Sequence, residues 1–246
     1  MMRPARALTI AGLVAIGPGS AEVRAQLPFE GEVRQLVTFS FLPGRVGDAL
    51  ALYEEQVIPL YRADEAMKSF RGLREIESPV PLDLVVVSSF DGMSGMDVSN
   101  HTLRRLAEDA GTSIAALYGS IGALSQSHHD QFIEMMPALG QGDPTAQPLI
   151  ALVWYRVTPD PDDPFTRILT ETVVPFEREA GVTVSTGRFL VSDGWDYLRI
   201  FGFESLGAYE DYWQALRHSD GGPDLRAITA ERRQVILGNL AGLSVR

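Results

Sequence analysis

Glu55-Gln56-Val57-Ile58-Pro59-Leu60-Tyr61-Arg62 returns 116 residues later as Glu171-Thr172-Val173-Val174-Pro175-Phe176-Glu177-Arg178. The same offset carries Leu36 onto Leu152 and Pro43 onto Pro159 without a gap, so the chain reads as two copies of one unit, at 33–140 and 148–246. Ahead of the first motif, Val46, Ala49, Leu50, Tyr53 and Val57 recur at three and four residues, the stripe of an amphipathic helix. Pro59 has to kink or interrupt that helix, because it lacks a backbone donor and its ring clashes with the preceding turn.

Outward from the motif, the spacing changes to that of strands. Arg34 to Phe41 alternates, with Val37, Phe39 and Phe41 on one face and Leu36, Thr38 and Ser40 on the other. Gly72 to Glu77 is a weaker strand, and Leu84 to Phe90 is apolar and β-branched enough for a central one. A second helical region holds Leu103, Leu106, Ile114, Leu117, Ile121 and Leu124, broken near Gly111. Its Ala-, Gly- and Ser-rich end, Ala115 to Ser125, suits a thin, closely packed helix or a lid. Gln131 to Met136 makes a fourth strand and Gly140 to Gln147 a linker. The second copy repeats the order with strands at Leu149 to Val157, Gly187 to Val191, Tyr197 to Phe203 and Gln234 to Leu237, and helices at Phe165 to Glu179 and Ser205 to Leu216. Each unit is strand, helix, strand, strand, helix, strand, the split order of a ferredoxin-like α+β sheet with helices on one face.

Composition narrows the partners. The 246 residues carry a formal net charge of −11, and no segment concentrates Lys and Arg, which argues against nucleic acid. The chain has no cysteine, hence no disulfide and no thiolate chemistry. Arg3 and Arg6, the apolar run Ala7 to Ile16, and Val23-Arg24-Ala25 form a secretory signal at 1–25, with a mature start at Gln26. Cleavage there removes three positive charges and one negative, taking −11 to −13, and predicts a secreted or periplasmic protein.

The element order, with Phe203-Glu204-Ser205-Leu206 followed by Tyr209, Tyr212 and Trp213, resembles the dimeric α/β-barrel superfamily, and within it most closely NIPSNAP and EthD-type domains. Phe90-Asp91 matches Phe203-Glu204 in the first copy. The resemblance implies two facing antiparallel sheets and a small-molecule function, since relatives include cofactor-free monooxygenases, isomerases, decarboxylases and haem enzymes such as chlorite dismutase. Fold alone does not choose among them.

Candidate residues follow from the strand faces. With Val37, Phe39 and Phe41 under the helices, Thr38 and Ser40 line the space between sheets, joined by Val86 and Ser88. The two offsets carry these onto Trp154 and Arg156 and onto Arg199, with Tyr197 and Phe201 beside it. The expectation is a pocket with one small wall and one polar wall. Arg199 reads either as a clamp for a carboxylate or enolate or as half of a buried ion pair, with Glu134 the candidate partner. Of His128 and His129 at most one can enter a site, because neighbours on an extended chain face opposite ways, and a solvated turn is the other reading. His129 and His218 are the candidate bases, although His218 also suits a helix C-terminal cation. No metal set, P-loop or dinucleotide fingerprint is present.

These readings give an exported small-molecule-binding protein without a cofactor, an oxygenase or isomerase, whose ligand carries an anionic group. A homo-oligomer is compatible with it. The alternatives are a non-catalytic binding or assembly module with a filled barrel and, third, a haem enzyme.

Overall fold

A computed structural model describes residues 31–79 and 82–245; the secretory signal expected at 1–25 lies outside the described residues. Eight antiparallel strands, β1 (Glu32–Phe41), β2 (Met67–Glu77), β3 (Leu84–Asp91), β4 (Ser125–Met135), β5 (Leu149–Val157), β6 (Thr183–Val191), β7 (Tyr197–Phe203) and β8 (Thr229–Val245), close into one barrel in the order β1-β3-β2-β8-β5-β7-β6-β4. The two sheets expected to face each other are therefore joined edge to edge. The 17-residue β8 pairs with β5 along its first part and with β2 along its second, while β4 pairs with both β1 and β6. Closure leaves no sheet edge open to another chain.

The helices lie outside the barrel. The repeated motif forms α1 (Val46–Leu52), a π-helical stretch Tyr53–Val57 and α2 (Ile58–Ala63) in the first half. Its second occurrence forms α5 (Pro164–Ile168), a π-helical stretch Leu169–Val173 and α6 (Val174–Glu179). Proline explains both: Pro59 and Pro175 sit in the first turn after the π-helical stretch, where a wider turn relieves the clash with the preceding carbonyl. The kink expected at Pro59 is thus a local widening. α3 (Gly92–Asp109) and α4 (Ile114–Leu124) are separated near Gly111, whose φ of 76° favours glycine. α4 buries Leu117 and Ile121 and leaves its small residues outward. α7 (Leu206–His218) is followed by α8 (Gly221–Ile228), a helix absent from the sequence reading.

Three apolar clusters result. One fills the barrel, with Leu36, Val85, Val87, Ile133, Ile150, Leu152, Leu198, Ile200, Val235 and Leu237 among its members. The other two lie between the barrel wall and the helices of each half. Eight strands enclose a space that side chains can fill, so the middle of the barrel is solid and room for a ligand is left at its ends.

Candidate functional site

At the Trp154 end the filling stops. A cavity of about 400 Å³ opens there, lined by Thr38 and Ser40 of β1, His129 and Gln131 of β4, Trp154 of β5 and Arg233 of β8, with Leu82, Asp193 and Trp195 on its rim. Register explains the gathering: Thr38 faces His129 across the β1–β4 ladder, and Trp154 faces Arg233 across β5–β8. The Trp154 indole donates to Oε1 of buried Gln131 at 3.0 Å, which ties the two halves together across the cavity floor. The rim is fixed by hydrogen bonds. Asp83 accepts from the Phe41 amide at 2.6 Å and Glu75 from the Leu82 amide at 2.7 Å. On the other side, Arg156 Nε donates to the Gly194 carbonyl at 2.7 Å, holding the β6–β7 turn that carries Asp193 and Trp195.

Two polar groups at this mouth have chemical potential. The exposed His129 places Nδ1 3.5 Å from an Asp193 carboxylate oxygen, an orienting partner for its ring. Half-buried Arg233 lies over the Trp154 ring, 5.1 Å from its centroid. Its Nε is buried without a hydrogen-bond partner, and it forms no ion pair with the described residues. Burial pushes the Arg233 pKa down, since a cation loses hydration there.

Of the residues expected in the site, the structure brings Thr38, Ser40, Trp154 and His129 to one cavity. Arg156 shares the inward face of Trp154 but serves the rim, paired with Glu231 at 2.5 Å and stacked on Trp195. Ser88, Tyr197 and Arg199 are elsewhere. Val86 pairs with Val37 and Ser88 with Gln35, so both point to the helices and not to the interior. One residue of slip in assigning that strand reverses every face, and the error passed through the offset into β7. Tyr197 packs under α5, its hydroxyl donating to Asp163 at 3.2 Å, and burial raises its pKa. Arg199 is 0% exposed on the same side, bidentate to Glu177 at 2.8 and 2.6 Å, with Nε donating to Thr186 at 3.0 Å. The ion-pair reading of Arg199 therefore holds, with Glu177 in place of Glu134; Glu134 pairs with Arg188 at 2.9 Å. His218 is exposed at the end of α7, its Nδ1 2.8 Å from the Gln214 carbonyl, and lines no part of the mouth.

Arg233, Gln131, Asp193 and Trp195 were missed. Arg233 fell outside the strand expected at Gln234 to Leu237, yet alternation extended backward from Val235 and Leu237 places it inward.

No protein-family model and no curated protein matches the sequence. Solved structures do match. A protein of Fusobacterium nucleatum named as a candidate monooxygenase aligns at a TM-score of 0.62 and 12% identity, covering 86% of this chain and 94% of that one. Another candidate monooxygenase, from Lactobacillus acidophilus, aligns at 0.61 and 8%, covering 88% and 96%. A candidate chlorite dismutase aligns at 0.58 and 11%, covering 86% and 96%. This chain has the dimeric α/β-barrel fold. An anthrone oxidase-like protein, at a TM-score of 0.56 and 12% identity over 86% of this chain and 92% of that one, shares it too.

Some proteins of this fold bind haem, and a histidine-ligated haem needs an imidazole aimed into a cavity that can hold the macrocycle. A cavity of about 790 Å³ between α7, α8 and β8 is lined by residues such as Tyr155, Tyr209, Trp213 and Arg232 and by no histidine. The barrel mouth is about half that size, and its His129 is exposed and turned to Asp193. These residues do not fit a histidine-ligated haem. Among the described residues no three His, Cys, Asp or Glu side chains group to hold a metal ion.

Proposed function

We propose that this chain is an exported small-molecule-binding protein, most like NIPSNAP and EthD-type domains, built from a tandem duplication and acting as a cofactor-independent oxygenase or isomerase. The observation that supports this reading is the cavity that interrupts an otherwise filled barrel and gathers His129, Gln131 and Thr38 around Trp154. Its volume lies in the range of small-molecule sites, and its mixture of rings and a few polar groups is typical of them. Both reaction types begin with removal of a proton from the substrate. His129, oriented by Asp193, is the group for that step.

The names of the structural neighbours support the oxygenase branch and suggest anthrone as a test substrate. Oxygen uptake with anthrone should be measurable with the wild-type chain and lost in His129→Gln, while 2-naphthalenemethanol, a neutral probe, should still bind both. Absence of uptake in the wild type would remove the oxygenase branch. Failure of the neutral probe to bind, or binding unchanged in Thr38→Phe, would remove the cavity as a site. The filled barrel centre supports a second reading, a non-catalytic binding or assembly module, which those two failures would favour. A Soret band on adding haem would revive the third.

A further inference from the structure

We propose that the barrel mouth selects a small monoanionic carboxylate with a flat apolar body, packed against Trp195 with its charged end on Arg233. The inference rests on the cavity reading above and adds the ligand class and the residue that sets it.

Arg233 is held in a way that its own chain does not complete. The inward face of β8 carries Val235 and Leu237 into the filled core, so Arg233 is the position where that face passes from apolar packing to the open mouth. Its guanidinium plane rests over the Trp154 ring, and the indole is itself fixed by Gln131, so the cation is preset and not swinging free in solvent. Nε is buried and unbonded, and the guanidinium, which lines the mouth, forms no ion pair with the described residues, so its charge is left to a ligand or solvent there. A carboxylate can accept from a guanidinium through two oxygens at once, which is the geometry that arginine favours.

Charge balance chooses one negative charge. Among the lining residues Arg233 is the only Lys or Arg, and Asp193 places a carboxylate on the same rim. A phosphate dianion would meet one cation, a carboxylate and a chain of net charge −11. A neutral ligand would cover the mouth and leave the Arg233 charge there without a counter-charge. The rest of the lining fits the body of such a molecule. Half-buried Trp195 offers apolar surface, with Phe39 and Leu82 beside it, while Thr38 and Ser40 leave space on the wall of β1.

The test uses the full chain with 2-naphthoate, its neutral analogue 2-naphthalenemethanol, and inorganic phosphate as probes, read by calorimetry and by tryptophan fluorescence. Wild type should bind the naphthoate at least about tenfold more tightly than the alcohol, the factor that a charge-assisted hydrogen bond supplies. Arg233→Met should erase that preference and still bind the alcohol. Arg233→Lys should retain part of it, since it keeps the charge and loses the fork. Phosphate should not compete. The thermal midpoint of Arg233→Met should stay level or rise, which verifies folding. Equal affinity for the two naphthalene probes in wild type, or a preference surviving in Arg233→Met, would overturn the inference and leave the cavity as a neutral-ligand site. Binding of neither probe would overturn both readings.

Discussion

Removing one member of the buried pair under α6 should cost this barrel a large part of its stability. Arg199 and Glu177 are both 0% exposed and joined by two hydrogen bonds, with Thr186 on the guanidinium and the Tyr212 hydroxyl donating to Glu177 at 2.6 Å. Burial alone would lower the Arg199 pKa, but the Glu177 carboxylate overrides it and holds the pKa above its ordinary value. Arg199→Met takes two donors from a carboxylate that cannot reach water and leaves Tyr212 as its remaining partner in this network. The expected loss is about 3–5 kcal/mol. At about 2–4 °C per kcal/mol for a chain of this size, the thermal midpoint should fall by roughly 6–20 °C. The double variant Arg199→Met/Glu177→Leu removes both charges, and its stability should recover most of the loss. Urea melts of the wild type, both singles and the double form a cycle that isolates the pair. A loss below about 1 kcal/mol in Arg199→Met would refute the claim that the carboxylate depends on Arg199.

Alkali should unfold the protein progressively above about pH 10. Burial keeps Tyr61 and Tyr212 neutral well beyond the ordinary tyrosine range, so above the unfolded pKa the folded chain binds more protons and stability falls as pH rises. A urea midpoint that stays flat from about pH 9 to 11 would contradict this. Gly187→Ala should destabilise by about 1–3 kcal/mol, because a Cβ there would sit 2.8 Å from the Glu134 carbonyl oxygen and press on Ile133 at the β4–β6 seam. Gly119→Ala, in α4 with nothing within 4 Å of the new carbon, should stabilise by about 0.5–1 kcal/mol, and denaturant melts of the two should move in opposite directions. Mass measurement of protein from its native host should find a chain starting at Gln26, and an intact Met1 on a soluble cytoplasmic product would overturn the export proposal.

The strand order and the helices on one face were legible because hydrophobic period separates the two element types along this chain. Leu149–Val157 and Tyr197–Phe203 match the observed strands to the residue. Strand ends rich in polar residues were not legible: β4 begins at Ser125 and carries His128 and His129 within the ladder, where a turn was one of the readings. Period also cannot reveal register. The alternation in β1 is clear, but in the uniformly apolar β3 both faces look alike, and which of Val85 and Val86 faces inward depends on pairing with β1.

That ambiguity explains why Arg199 was read as facing the interior, whereas Arg233 was missed because it lies just ahead of the strand expected at Gln234 to Leu237. Mid-strand Arg199 among apolar neighbours looks like a ligand clamp, yet a wholly buried guanidinium calls for a partner in the same fold. The partner, Glu177, lies within the second occurrence of the motif at Glu171 to Arg178. At the offset of 116, Glu177 stands where the first copy has Tyr61, and at 113 Arg199 stands where it has Val86. Tyr61 and Val86 belong to one apolar cluster in the first half; Glu177 and Arg199 replace them by an ion pair in the second. Glu177 and Arg199 thus compensate each other, and a pair that compensates internally has nothing left for a ligand. His129 and Arg233 show the opposite pattern. They face Thr38 and Trp154, themselves related by the offset of 116, so they occupy equivalent places in the two halves. There Arg233 has no acidic counterpart within the described chain, and the charge it leaves open faces the mouth of the barrel. An arginine without a compensating carboxylate in the same fold is the stronger sign of a binding site.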